Sequence, residues 1–171
     1  MKIIDVRDNF LDQEDFNKLQ KLLLGQRFPW FFNDSILINP DNDIYDSQFT
    51  HMFFMISNGY EIIRSDFFDN LSSILKKLSI DVLFRIKANL KTPTEKNIVS
   101  GYHTDMPDAF NITTAIYYLN NTDGYTIFKS GEKVESVANR MVTFPSSTPH
   151  SSVSCTDCKS RVVINFNYFG L

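Results

Sequence analysis

Arg161-Val162-Val163-Ile164-Asn165-Phe166-Asn167-Tyr168-Phe169 is a run of β-branched and aromatic residues into which one arginine and two asparagines are set. Side chains of that kind fit the pleated surface of a sheet. Alternation with period 2 places Arg161, Val163, Asn165 and Asn167 on one face of the strand and Val162, Ile164, Phe166 and Tyr168 on the other. The second face is apolar and belongs against a core. The first is unusually polar for so strong a strand former, which fits the lining of a pocket. An arginine there offers a planar fork that can grip a carboxylate in two parallel hydrogen bonds, a fit that lysine does not reproduce.

Four upstream runs read as strands of the same kind: Val82 to Leu90, Ile112 to Leu119, Gly124 to Phe128 and Asn139 to Phe144. Turn material separates them, in Thr92-Pro93-Thr94, Asn120-Asn121-Thr122-Asp123-Gly124, Ser130-Gly131 and Pro145-Ser146-Ser147. The first half is different. Residues 12 to 24 predict a helix, with Asp12 as cap and Phe16, Leu19 and Leu23 at helical spacing, and a second helix is predicted from about Ser65 to Leu78. Between them, Phe28 to Phe32 and Gln48 to Phe54 are apolar and aromatic enough to be strands or a wrapped segment. Helices first and strands after imply an α+β arrangement, a jelly-roll core with the N-terminal helices packed outside. At 171 residues the chain has the size of one domain, with a helical part over about 1–80 and a β core over about 81–171.

Composition narrows the function classes. Hydrophobic residues make up 43% and charged residues 22%, ordinary for a globular protein, and the 16 phenylalanines along the chain predict a thick aromatic core. The formal net charge of −3, with no run of either sign, argues against a nucleic-acid binder. Charges at Lys2, Asp5, Arg7 and Asp8 leave no room for a signal-peptide apolar region, and nothing approaches the ~18 apolar residues of a membrane span. The expected location is cytoplasmic. The two cysteines, Cys155 and Cys158, lack the partners of a zinc site and lie in a polar stretch, so they read as reduced loop cysteines.

His103-Thr104-Asp105 carries the most chemistry. In extended chain, residues i and i+2 face the same way, roughly 6.5–7 Å apart along the backbone, so one cation can sit between them. Of the three histidines, only His150, behind the stiff Thr148-Pro149 step, is set to supply a third ligand. Two histidines and one carboxylate on one side of a metal leave the other positions open, as in the facial triad of non-haem Fe(II) oxygenases. The triplet alone is a common pattern. A zinc hydrolase and a jelly-roll binding or assembly module without catalysis stay open beside the oxygenase, although no glutamate stands by these ligands as a hydrolytic base.

HxD, a distal His and an Arg eleven residues later, with strands between, resemble the 2-oxoglutarate and Fe(II)-dependent dioxygenases. Ala115-Ile116-Tyr117-Tyr118-Leu119-Asn120 looks like a strand of the prolyl 4-hydroxylase-type members. The text that runs from Arg85-Ile86-Lys87-Ala88-Asn89-Leu90 through to Arg161–Phe169 is similar to small oxygenases of bacteriophages and marine bacteria, for which the location would be the host cytoplasm. The resemblance implies a double-stranded β-helix (cupin-like), Fe(II) held by His103, Asp105 and His150, and Arg161 on the distal carboxylate of 2-oxoglutarate, with the Tyr118 hydroxyl as second donor and Asn89 lining the same pocket. It implies hydroxylation by O₂ with release of succinate and CO₂, with ascorbate as an accessory reductant. Related halogenases lack the carboxylate ligand, so Asp105 points to hydroxylation. The substrate, a peptidyl proline, another peptide or a small molecule, is left open; Asp108, Ala109 and Phe110 read as a lid over it. One departure is plain: prolyl-hydroxylase-type sequences carry a Tyr shortly before a Pro ahead of HxD, where this chain has Lys91-Thr92-Pro93.

Overall fold

A computed structural model describes residues 4–34, 47–106 and 111–170. The described elements run in the order β1 (Asp5–Arg7), α1 (Gln13–Leu23), β2 (Phe31–Asn33), β3 (Gln48–Ser57), β4 (Tyr60–Ile63), a 3-10 turn (Phe68–Leu71), α2 (Ser72–Lys77), β5 (Val82–Lys91), β6 (Thr113–Tyr118), β7 (Thr122–Phe128), β8 (Lys133–Ser136), β9 (Arg140–Pro145), β10 (His150–Ser152) and β11 (Arg161–Phe169). Residues 108–110, read as a lid, lie outside the described residues.

Two antiparallel sheets face each other. The larger has the order β1-β9-β6-β11-β5-β3-β2, with β4 added to β3, and the smaller is β10-β7-β8. β11 lies at the centre between β6 and β5, pairing Val163 with Tyr118 and Asn89, and Asn165 with Ile116 and Lys87. Its two faces behave as their chemistry predicts. Val162, Ile164, Phe166 and Tyr168 join the main core with Ile86, Ala88, Ala115 and Tyr117, to which α1 adds Phe16, Leu19 and Leu23 and α2 adds Ile74. Val163, on the opposite face, meets Ile116, Tyr118, Phe128, Val142 and Phe144 in a second cluster between the sheets.

The first helix forms where its cap predicts: Asp12 Oδ1 accepts the Asp15 amide at 3.1 Å, and Glu14 and Asp15 favour the positive helix start. The second is shorter than predicted. The Ser65 hydroxyl accepts the Phe67 amide at 3.1 Å and lies 2.7 Å from His51 Nε2, which holds residues 65–67 as a turn and delays the helix to Ser72. Of the two aromatic segments of the first half, Gln48 to Phe54 is strand throughout and Phe28 to Phe32 only at its end, in β2, so residues before 80 supply β1 to β4 as well as the helices. Gln48 to Ser57 extends the large sheet beyond β5.

His51 belongs to this packing and not to a metal site. It is 5% exposed among Phe28, Phe53 and Phe67, with Nδ1 2.8 Å from the Pro29 carbonyl. A carbonyl only accepts, so Nδ1 carries the proton and Nε2 takes the Ser65 hydroxyl. Burial, partly offset by the Pro29 contact, holds the ring below its ordinary value of 6.5. The unfolded chain then binds a proton that the native state refuses, so this contribution to stability is complete above pH 6.5 and is lost as the pH falls below it. The denaturant midpoint of metal-free protein should therefore be lower at about pH 5.5 than at about pH 7.5, and His51→Gln should narrow that gap.

Candidate metal centre

His103 and His150 exchange both backbone hydrogen bonds, His103 N to His150 O at 3.0 Å and His150 N to His103 O at 2.9 Å. The Asp105 amide donates to Ser146 O at 3.1 Å. The loop between β5 and β6 is thereby laid along the segment that leads into β10, and the ligand atoms of His103, Asp105 and His150 come within 4.8 Å of one another. The extended conformation expected for the triplet holds at the His103 bridge, while Asp105 lies in a bend.

The hydrogen bonds decide what these groups can donate to a metal. Nδ1 of His150 faces the Thr148 carbonyl at 2.9 Å, and Nδ1 of His103 faces the Gly101 carbonyl at 3.3 Å. Both Nδ1 atoms therefore carry protons, which leaves the two Nε2 lone pairs for a cation. Burial, against the pull of Asp105, holds His150 below the ordinary imidazole value and keeps it neutral. Phe144 and Phe128 wall it in, with ring centroids 4.8 and 6.2 Å away.

The Asp105 side chain is 5% exposed and heavily supported. Oδ1 accepts from Arg85 at 2.9 Å, and Oδ2 accepts from Thr114 Oγ1 at 2.9 Å and Asn167 Nδ2 at 3.0 Å. Burial by itself would push the carboxyl up; Arg85, His150, the Asn167 amide and His103 together hold it below its usual value. An ionised carboxylate offers about four lone-pair sites. Three are taken, so a cation beside the two Nε2 atoms still finds one. Two neutral imidazoles and a carboxylate fit Fe(II) chemically.

The ligands stand at one end of a cavity of about 360 Å³ between the sheets, lined by the inward residues of β5 and β11 on one side and by Thr126 and Ser152 on the other. Asn89 lines it, and its Oδ1 is buried without a partner. Arg161 is 3% exposed at the start of β11. One of its terminal nitrogens donates to Thr126 Oγ1 at 3.1 Å, while its buried Nε has no partner. Burial holds this guanidinium below its ordinary value, the mark of a cation that lacks a counter-ion.

Tyr118 packs against Arg161. It does not line the cavity, being fully buried beneath Arg161, and its hydroxyl donates to Thr126 Oγ1 at 2.8 Å. Thr126 accepts from both neighbours and keeps its own proton for the cavity. Thr126, Arg85, Lys87, Lys91, Thr114 and Gly124 were not singled out by the sequence as site residues. The alternation in Arg85-Ile86-Lys87-Ala88-Asn89-Leu90-Lys91 was a signal, since its polar face opposes the polar face of β11. Cys155 and Cys158 are free thiols in the loop before β11, both pushed above the ordinary thiol value by burial.

No family model and no curated protein matches the sequence. Solved structures do match it in shape. A Trichoplax adhaerens prolyl hydroxylase in complex with a hypoxia inducible factor peptide fragment superimposes with a TM-score of 0.65 over 99% of this chain and 84% of that one, at 15% identity. An oxidoreductase of the 2OG-Fe(II) oxygenase family from Burkholderia pseudomallei reaches 0.69 over 97% and 85%, at 10% identity. The fold is that of the 2-oxoglutarate, Fe(II) oxygenases. The same fold is found in the non-heme alpha-ketoglutarate-dependent epimerase SnoN of nogalamycin biosynthesis, at a TM-score of 0.63 over 98% and 76% with 15% identity. This oxygenase fold is the expected double-stranded β-helix.

Gly124 on β7 is required by the arginine. A Cβ there would stand 2.8 Å from Arg161 Cδ and 2.9 Å from the Val153 carbonyl oxygen, closer than real contacts allow. Gly124→Ala should lower stability by about 1–3 kcal/mol, as overpacking does, measurable as a fall in Tm.

Proposed function

We propose that this chain, acting as one domain over residues 1–171 with its helices outside the β core, is an Fe(II)- and 2-oxoglutarate-dependent oxygenase. The observation that carries the reading is the pairing, within one cavity, of a His103–Asp105–His150 ligand set with a buried arginine whose Nε lacks a partner. In this reading Fe(II) with bound 2-oxoglutarate supplies oxidation by O₂, with release of succinate and CO₂. The residues do the rest. Nε2 of His103, Nε2 of His150 and one Asp105 oxygen would hold the metal at the end of the cavity. Arg85, Thr114 and Asn167 fix the carboxylate's orientation, as outer partners of a metal ligand do. Arg161 takes the distal carboxylate of the cosubstrate through its fork, and the Thr126 hydroxyl is the second donor in place of Tyr118, which braces Thr126 from behind. Asn89 lines the path between. Phe128 and Phe144 exclude water from the His150 side. The carboxylate ligand favours hydroxylation of the substrate; ascorbate would act only as an accessory reductant. The site of action in this reading is the cytoplasm.

Anaerobic addition of Fe(II) and then 2-oxoglutarate should produce a visible charge-transfer band, and aerobic incubation should release succinate. Firm zinc binding without that band would favour the hydrolase, and no metal binding at all would favour a binding module. His103→Ala and Asp105→Ala should each abolish the band and the succinate; a variant that kept both would remove the site assignment. Arg161→Lys should raise the KM for 2-oxoglutarate roughly ten- to hundredfold, the equivalent of about 1.5–3 kcal/mol for lost charge-assisted hydrogen bonds, with the metal still bound.

A further inference from the structure

The cavity holds more positive charge than the proposed cosubstrate needs. Four cationic side chains line it, Arg85, Lys87, Lys91 and Arg161, against the single carboxylate of Asp105. Arg85 is paired with Asp105 and with Asn167 Oδ1. Lys91 donates to the Ser100 hydroxyl. Arg161 is assigned to the cosubstrate. Lys87 is left: half-buried, facing the cavity, and without a hydrogen bond or ion pair among the described residues. A cation withdrawn from water costs free energy unless an anion or several acceptors meet it.

The surroundings of Lys87 are built for a polar ligand. Across β11 its partner is Asn165, 9% exposed, which lines the cavity and whose buried Oδ1 has no partner. Asn89, two residues on along β5, has a second unpartnered buried Oδ1. The two carboxamides flank the lysine; their unpartnered oxygens only accept, so an anion beside Lys87 is met by the amides turned to present Nδ2. Lys91, not Lys87, stands opposite Arg161; four residues of strand, roughly 13 Å, separate the two lysines. Lys87 is therefore nearer the metal end, one row from the Arg85–Asn167 pair that holds Asp105. Burial first, and then the Arg85 charge, push its ammonium below the ordinary lysine value, with Asp105 only partly offsetting them.

We propose that Lys87, flanked by Asn89 and Asn165, is a second anion subsite that takes a carboxylate or phosphate group of the molecule to be oxidised. The inference rests on the oxygenase reading and names the substrate class within it: a small acid rather than a neutral prolyl ring. At about 360 Å³ the cavity is at the small end of ligand pockets, and among its described lining residues only Ile116 and Val163 are aliphatic, so its side-chain functional groups are mostly polar or charged.

The test uses the Zn(II)-loaded protein saturated with 2-oxoglutarate, so that the Arg161 end is filled, and titrates it calorimetrically with inorganic phosphate and, separately, with acetate. One saturable anion site is expected, weakened at least about tenfold in Lys87→Met and kept within about threefold in Lys87→Arg, with cooperative melting of both variants confirming that they fold. Which anion binds more tightly distinguishes a phosphate from a carboxylate substrate. Absence of anion binding, binding that Lys87→Met retains, or a loss confined to 2-oxoglutarate affinity would each overturn the inference. If the wild type lacks the Fe(II) and 2-oxoglutarate band, the oxygenase reading itself fails; if the band is present and anion binding ignores Lys87, only this inference fails.

Discussion

The reciprocal backbone hydrogen bonds between His103 and His150 are the constraint on which the site depends. They join a loop of the large sheet to the first residue of a strand in the small one. Without them two of the three ligands would belong to separate sheets, their spacing left to more distant bonds such as Ser100 N to Ser152 O. With them, the ring centroids stand 4.6 Å apart and both Nδ1 protons are used on nearby carbonyls, so that the metal-binding nitrogens are left by elimination. Orientation is thus settled by backbone geometry before any metal arrives, and the ordering entropy is met in folding and not in binding.

A second dependence follows from the two-sided character of the large sheet. Its outer face is a continuous apolar core shared with the helices, and its inner face changes along the strands from an apolar cluster around Phe128 and Phe144 to a polar cavity. The outer core supports the rigidity that the inner face requires. Arg85, Lys87, Asn89 and Lys91 alternate with residues that include the fully buried Ile86 and Ala88, so the polar set cannot turn away from the cavity without withdrawing its neighbours from the core. Charge is therefore held in a partly dry space by hydrophobic burial on the other side of the same strands.

The carboxylate of Asp105 shows how such a site is balanced. Arg85, Thr114 and Asn167 come from β5, β6 and β11, three adjacent strands, and all converge on two oxygen atoms. Each support satisfies a buried polar group that would otherwise carry a desolvation penalty. The same accounting leaves four buried side-chain atoms unsatisfied among the described residues: Ser136 Oγ in the small sheet, and Arg161 Nε, Asn89 Oδ1 and Asn165 Oδ1, the last three in residues that line the cavity. In a core so well paired elsewhere, orphan groups gathered in one place point to a ligand.

By itself the sequence determined the local facts: that Arg161–Phe169 is a strand with one polar face, that Asp12 begins a helix, and that His103, Asp105 and His150 have metal-ligand chemistry, because period, capping and side-chain type act within a few residues. The same locality explains what it left open. Tyr118 read as a donor to the pocket because its hydroxyl is visible in the sequence, whereas its burial beneath Arg161 and its bond to Thr126 arise from β7 lying across β6 and β11. Thr126 was hidden in a strand whose inward residues, Gly124, Thr126 and Phe128, are not set apart by polarity from its outward Tyr125 and Ile127. The charged face of β5 has the pattern of a solvated edge, and only the small sheet laid opposite turns it into a cavity wall. Which polar residues face water and which face a ligand was decided by tertiary structure, since strand alternation specifies sides and only sheet packing specifies what lies beyond them.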